Sequence, residues 1–441
     1  MKKLITFILL IMLLSQSAIF AVGNNKQILS DENLELDILD KGFIDEKDGV
    51  TFVYLNGSNY EMGYQHGFLL KEKILQNYRA FLNFAEEFYE YEKQDFIDLW
   101  YNISKYIPQQ YKEEMKGVSD ALNMPFIDIA IGTVMTFFVH CSGITAWGPA
   151  TLDGRLYYTR SLDFPLIIQD PISEKYIQEN AVIFIRKPDN GYMSFDPSYA
   201  GFIGCFDGVN EKGVAIQVLT SKSDDEYYGN PAVIRIRMIL DNAESADEAL
   251  EILNDNMTCG WNFILADWKE PIGYAIEQTH NISYVGQWDS QGEKNYPFYS
   301  IPYVLRRSNL FVNPETSETQ RDNFNPRFMP IISIINGRNL LPSGFPSYMF
   351  WAAYQALSNG IYGIWGEINL VNSMEMIRNY YNGHGHIVYY LMKLIGFGGN
   401  LQLWVCCPET GDLLISFADK LNNANKEPIH NFNIYSLMNE H

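Results

Sequence analysis

Five cysteines offer the clearest chance of covalent chemistry in this 441-residue chain: Cys141, Cys205, Cys259, Cys406 and Cys407. An odd number leaves at least one thiol without a partner. Cys406 and Cys407 are neighbours in a strand-like run, point to opposite faces and are not expected to pair with each other. Cys205, Cys259, Cys406 and Cys407 read as small buried hydrophobes, a common state of the free thiol. Cys141 has different company. It lies in His140-Cys141-Ser142-Gly143, where a helical pattern gives way to a strand pattern. Asp153-Gly154 follows, then Tyr158-Thr159-Arg160-Ser161-Leu162-Asp163. A hairpin joining two strands here returns Arg160 and Asp163 toward the start of the first strand. Cysteine needs little activation, because its thiol ionises near about 8.5, and a neighbouring cation favours the thiolate further. The chemistry on offer is nucleophilic.

Other polar residues read more plainly. His66 and His140 could act as bases, but His66 belongs to a helix start. His384-Gly385-His386 lacks matching cysteine or carboxylate spacing, so a loop is expected there and no metal. Glu86, Glu87, Glu90 and Glu92 form the solvated face of a helix. Gly396-Phe397-Gly398-Gly399 has no downstream Lys/Ser pattern for holding phosphate. No cofactor is expected.

The elements that must position Cys141 follow from periodicity. Apolar residues at three- and four-residue steps (Ile74, Tyr78, Phe81, Leu82, Ala85, Phe88) make residues 60–139 helical. Asn123-Met124-Pro125 interrupts them, and a further helix is expected over 126–138. After Cys141 come β-rich runs at 143–147, 156–160, 181–186, 213–219, 262–266, 274–277 and 401–406, punctuated by turns. Helices are expected at 233–253 and 370–380. This gives a helical segment followed by an α+β body.

Composition narrows the function. There are 32 Lys+Arg against 53 Asp+Glu, a net charge of −21, with 47% hydrophobic residues. That is a globular composition, and its acidity excludes nucleic acid as a main ligand. Lys2 and Lys3 precede an apolar run over 4–14 and small residues around 15–21, the layout of a signal peptide spanning 1–21. The protein is therefore expected to be secreted, periplasmic or lysosomal, with no stable membrane span. Asn56, Asn102, Asn256 and Asn281 each begin an N-x-[ST] triplet. Oligomeric state is left open.

The region around Cys141 resembles the cysteine N-terminal-nucleophile hydrolases, in particular the choloylglycine hydrolase and isopenicillin N acyltransferase group. The family pattern is a cysteine, an Asp-Gly turn and an Arg-Asn-x-Asp element, here Arg160-Ser161-Leu162-Asp163 with Ser161 departing from the usual asparagine. Three more stretches resemble the family in order: Gly208-Val209-Asn210-Glu211-Lys212-Gly213-Val214-Ala215; Phe263-Ile264-Leu265-Ala266-Asp267 with Ala275-Ile276-Glu277; and Ser308-Asn309-Leu310. Upstream, Tyr60-Glu61-Met62-Gly63-Tyr64-Gln65-His66-Gly67 is similar to the propeptide motif of the acyltransferase branch. The likeness runs from about residue 50 to 420.

The resemblance implies a four-layer αββα sandwich. It implies a helical propeptide over 22–140 and a catalytic body over 141–441, separated by self-cleavage at His140–Cys141, so that His140 leaves with the propeptide. Cys141 would be the nucleophile. Its freed α-amine, with a pKa of roughly 7.7–8.0, would serve as its own base. By the same carry-over Arg160 would lower the thiol pKa, Asp163 would bind the amine, and Asn309 would donate its side-chain NH₂ to the oxyanion. Thr220 stands at the family's other oxyanion position. A late arginine is also implied, Arg327 or Arg321. The expected reaction is hydrolysis of a linear N-acyl amide through a thioester, with a small-molecule substrate and the protein's own cleaved propeptide as partners. Acyl transfer to an amine, phospholipase B-like lipid deacylation, and a non-catalytic exported binding protein on the same fold are the alternatives.

Overall fold

The computed structural model describes residues 36–134, 140–321, 344–394 and 399–440. Its first strands, β1 (Phe43–Lys47) and β2 (Val50–Gly57), form a hairpin. Asp48 and Gly49 both take positive φ, 51° and 81°, as a two-residue turn matched to strand twist requires. This departs from the expected all-helical segment: residues 43–57 are sheet. Helices follow at α1 (Asn59–Leu69), α2 (Lys71–Tyr89), α3 (Lys93–Ile103), α4 (Gln109–Leu122) and α5 (Phe126–Ala130). The helix expected over 126–138 ends at Ala130 and tightens into a 3₁₀ turn over Ile131–Thr133. Residues 135–138 of that expectation lie outside the described residues.

Next come β3 (His140–Gly148), β4 (Gly154–Asp163), β5 (Ala181–Pro188), β6 (Ser194–Tyr199), β7 (Asp207–Asn210) and β8 (Val214–Thr220). The single helix expected over 233–253 is two, α6 (Ala232–Asn242) and α7 (Ala246–Leu253). Ala243 turns extended, and Ser245 Oγ accepts from the Glu248 N–H as an N-cap. The rest comprises β9 (Trp261–Asp267), β10 (Ile272–Gln278), β11 (Ser283–Gly286), β12 (Val304–Arg307), α8 (Pro314–Thr319), α9 (Gly344–Tyr362), α10 (Leu370–Tyr381) and α11 (Ile387–Leu394). It closes with β13 (Asn400–Cys406), β14 (Asp412–Phe417), β15 (His430–Asn433) and α12 (Ile434–Met438).

Among the described residues the strands form two sheets, ordered β1-β2-β5-β6-β7-β8-β9-β10-β11 and β12-β3-β4-β13-β14-β15. They face each other across one apolar core, with Tyr158 and Trp404 of the smaller sheet packed among Phe52, Ile183, Phe195 and Ile264 of the larger. Helices cover both outer faces. Ile74, Tyr111 and Met115 of the N-terminal helices, with Ile234 of α6, cover Val53, Val182 and Phe184. Leu357, Met374 and Ile377 of α9 and α10 cover Ile144, Leu403 and Val405. The result is the expected α+β, αββα stack.

The N-terminal segment is built into this stack. β2 pairs parallel with β5, Phe52 opposite Ile183. Helices α1 and α4 touch backbone to backbone: a Cβ on Gly63 would lie 2.0 Å from Glu114 O, and one on Gly117 2.2 Å from Tyr60 O. Gly63→Ala must therefore push the helices apart, and it is expected to destabilise the protein by about 1–3 kcal/mol, measured as a lower midpoint in urea.

Candidate active site

The β3–β4 hairpin sets the geometry of the site. Its register places Cys141 opposite Leu162, Gly143 opposite Arg160 and His140 opposite Asp163. Gly154, at φ +80°, turns the chain at the far end. Alternation then sends Arg160 to one face of β4 and Asp163 to the other.

Arg160 is fully buried between the sheets. Its Nε donates to Asp207 Oδ2 at 2.7 Å, and Asp207 also accepts from Trp404 Nε1 at 2.9 Å. The terminal nitrogens of Arg160 meet no nitrogen or oxygen acceptor, and the guanidinium acts instead on the Cys141 thiol. The guanidinium lies beside the Cys141 thiol and favours its ionisation, as expected, but burial outweighs it and pushes the thiol up to about 12. Cys141 is 1% exposed. Burial thus favours the neutral thiol of Cys141 over its thiolate.

Asn309 joins two strands at Cys141. The Cys141 N–H donates to its Oδ1 at 3.0 Å, while its Nδ2 donates to Thr220 O at 2.8 Å. Because one partner only donates and the other only accepts, the amide orientation is fixed. The NH₂ expected to face an oxyanion is therefore occupied by the Thr220 carbonyl in this state. The loop holding Asn309 is clamped on both sides: Asn262 Nδ2 donates to Ser308 O at 2.9 Å and Leu310 O at 2.8 Å. The Glu277 carboxylate accepts from Val312 N and Asn313 N and pairs with Arg307 at 3.0 Å.

Asp163 does not hold Cys141 here. Tyr381 Oη donates to its oxygens at 2.7 and 2.6 Å, and Asn400 Nδ2 donates at 2.9 Å. Ser161 Oγ meets the same Tyr381 hydroxyl and accepts from Ser142 N at 3.0 Å, so the departure from asparagine is filled by a tyrosine contact.

The structure thus gathers Cys141, Arg160, Asn309 and Thr220, with Asp163 at the neighbouring strand end. Arg327 lies outside the described residues. Arg321 is a surface residue, 38% exposed, paired with Asp224 and Glu226. It lines the rim of a cleft of about 1860 Å³ that also reaches Thr220. His66 is no base: burial and the cations Arg186 and Arg237 hold it down at about 3, and its Nε2 accepts from Gly201 N at 2.9 Å. Among the described residues no cluster of three or more metal-ligating side chains occurs, and no helix is long and apolar enough to cross a membrane.

Asp207, Asn262, Tyr381 and Asn400 were not anticipated. Asp207 directly precedes the Gly208–Ala215 motif, so one more residue of reading would have reached it. An apolar cleft reaches Leu162, the strand partner of Cys141, and is bounded by Phe164, Leu401 and Phe206 of the body and by Ile74 and Phe81 of α2.

Residues 175–294 match the family described as acyl-coenzyme A:6-aminopenicillanic acid acyl-transferase. The resemblance to the N-terminal-nucleophile hydrolases holds. The matched stretch contains the Gly208–Ala215 hairpin and the β9–β10 pair that carries Asn262 and Glu277. A Dictyostelium discoideum protein named dcd1B is 30% identical over 246 residues, 49% of this chain and 47% of that one. An uncharacterized protein of Archaeoglobus fulgidus is 26% identical over 266 residues, 52% of this chain and 43% of that one. The chain spans about half the length of these two relatives. Among solved structures, penicillin V acylase from Agrobacterium tumefaciens overlaps with a TM-score of 0.38 at 14% identity, covering 68% of this chain and 87% of that one. An N-acylethanolamine-hydrolyzing acid amidase ortholog of Caenorhabditis elegans overlaps at 0.37 and 12%, covering 66% and 99%.

Proposed function

We propose that this protein is an exported cysteine amidohydrolase that frees its own nucleophile by breaking the His140–Cys141 bond. In the first step the thiol attacks the His140 carbonyl, the peptide nitrogen takes up a proton and leaves as an amine, and water hydrolyses the thioester. This releases a new carboxylate on His140 and the α-amine of Cys141. That amine then takes the thiol proton, and the thiolate attacks the carbonyl of an N-acyl amide. The leaving amine departs with a proton, and water clears the thioester. The observation that carries this reading is the convergence on one residue: the Cys141 N–H held by Asn309, with the buried Arg160 guanidinium acting on its thiol.

The apolar cleft beside Leu162 suits the acyl group. Since α2 forms one wall, the N-terminal segment would stay bound after cleavage and take part in substrate choice. The family match favours one second reading, transfer of the acyl group to an amine instead of water. A panel of N-acyl-7-amino-4-methylcoumarins, with and without added amines, tests both on self-cleaved protein. Release of coumarin with free acid shows hydrolysis, and new amide shows transfer. Cleaved protein that releases nothing from acyl chains of any length would falsify the amidase reading.

Once the strand end is cut, Asn309 can exchange the Thr220 carbonyl for a developing oxyanion. Asn309→Ala is expected to lower kcat by about 10²- to 10³-fold, with a smaller change in KM, measured on the cleaved enzyme with the same substrates.

A further inference from the structure

Lys393 on α11 was not among the residues singled out by sequence, yet it is tied to the site. Its ammonium lies 4.7 Å from the ring centre of Tyr381 and 5.2 Å from that of Tyr389. Burial lowers Lys393 below the ordinary lysine range and raises the Asp163 carboxyl, and the charge of each opposes the shift of the other. Tyr381 and Asn400 donate to that same carboxylate.

We propose that Lys393 is a positioning residue that neutralises Asp163, and so keeps the released amine of Cys141 in its free-base form. This rests on the reading of Cys141 as an N-terminal nucleophile. A carboxylate beside an amine favours the ammonium form, and an ammonium cannot accept the thiol proton. The charges around the position are few. Tyr380 and Tyr381 of α10 and Tyr389 of α11 stay protonated, because burial raises all three. Arg160 of β4 is paired with Asp207 of β7. Arg160, Asp163 and Asp207 are the charges that act on Cys141, and Lys393 and Arg160 are the two cations that oppose the Asp163 charge. Without Lys393, the Asp163 charge is opposed only by Arg160, which is already paired with Asp207.

The test uses self-cleaved wild type, Lys393→Met and Lys393→Arg. After the thiol is blocked with iodoacetamide, trace labelling with deuterated acetic anhydride across pH reads the free-base fraction of the Cys141 amine in the terminal peptide. The acid limb of kcat/KM on a coumarin amide is followed in parallel on unblocked enzyme. Lys393→Met is expected to shift both midpoints upward by about one pH unit, a tenfold loss of free base at a given acidic pH. Lys393→Arg should stay near wild type. Midpoints unmoved in Lys393→Met, with only rate or stability lowered, would show a packing role and overturn the proposal. Should the methionine variant not fold, Lys393→Gln carries the same comparison. Hydrolysis that survives Cys141→Ala would instead overturn the nucleophile reading itself, so the two failures are distinguishable.

Discussion

Cys141→Ala is expected to remain one uncut chain and to lose at least about 10⁴-fold in kcat, whereas wild type separates on a denaturing gel into two fragments, the second beginning at Cys141. Both effects come from one atom. In the proposed scheme the sulfur that attacks the His140 carbonyl is the one that later attacks substrate, and alanine offers nothing in its place. Neighbouring groups cannot compensate: His66 is buried and engaged by Gly201, and Cys205 is buried against Asp196. Alkylation should follow maturation. In the uncut chain, burial pushes the thiol up to about 12, so iodoacetamide should label Cys141 slowly, and labelling should accelerate in the cleaved protein. N-terminal sequencing and mass spectrometry of the labelled fragment read both results. Wild-type protein that stays intact would remove the support for the whole scheme.

Arg160→Leu carries the second large effect, this time on stability as well as rate. Removing the guanidinium leaves Asp207 buried, with Trp404 Nε1 and two long contacts from Gln402 as its remaining side-chain donors. Breaking such a buried pair from one side costs about 3–5 kcal/mol. The pH dependence has a definite sign. Burial already raises the Asp207 carboxyl above its ordinary value, and Arg160 opposes that rise. Without the arginine the folded state holds the Asp207 proton to higher pH than the unfolded state does. The variant should therefore lose stability as pH rises above the ordinary carboxylate range and be least impaired in acid. Urea midpoints measured across this range check the prediction. The double variant with Asp207→Asn should recover much of the loss, because the uncompensated charge is gone. Activity should stay low in both, since the cation beside the thiol is missing in each.

How much of this could be read beforehand depends on the distance over which the information is written. Cys141, Arg160 and Asp163 belong to one hairpin, whose Asp153-Gly154 turn and alternating strands fix which residues meet. Local spacing was enough. Thr220 and Asn309 reach the site through family likeness, and the structure joins them to Cys141 by two hydrogen bonds. Asp207, Asn262 and Asn400 were hidden because their roles exist only once β7, β9 and β13 are assigned neighbours, and strand order is not a local property. Helix α9 gave no clear stripe because Phe350, Ala352, Tyr354, Ala356, Leu357 and Ile361 are all buried, which leaves no polar face to mark its period. The β1–β2 hairpin was not anticipated, although Asp48-Gly49 is a hairpin-turn dipeptide. Its residues 43–47 carry three charges and lie in a mostly exposed edge strand, so they did not stand out as sheet.

That edge hairpin bears on the life of the mature protein. After the proposed cut, β2 and the helices behind it would be held to β5 by hydrogen bonds and packing alone. A denatured sample would then have to reunite two separate polypeptides, a second-order encounter that dilution disfavours. The enzyme would be assembled once, as a single thread, and thereafter its survival would depend on how slowly it comes apart.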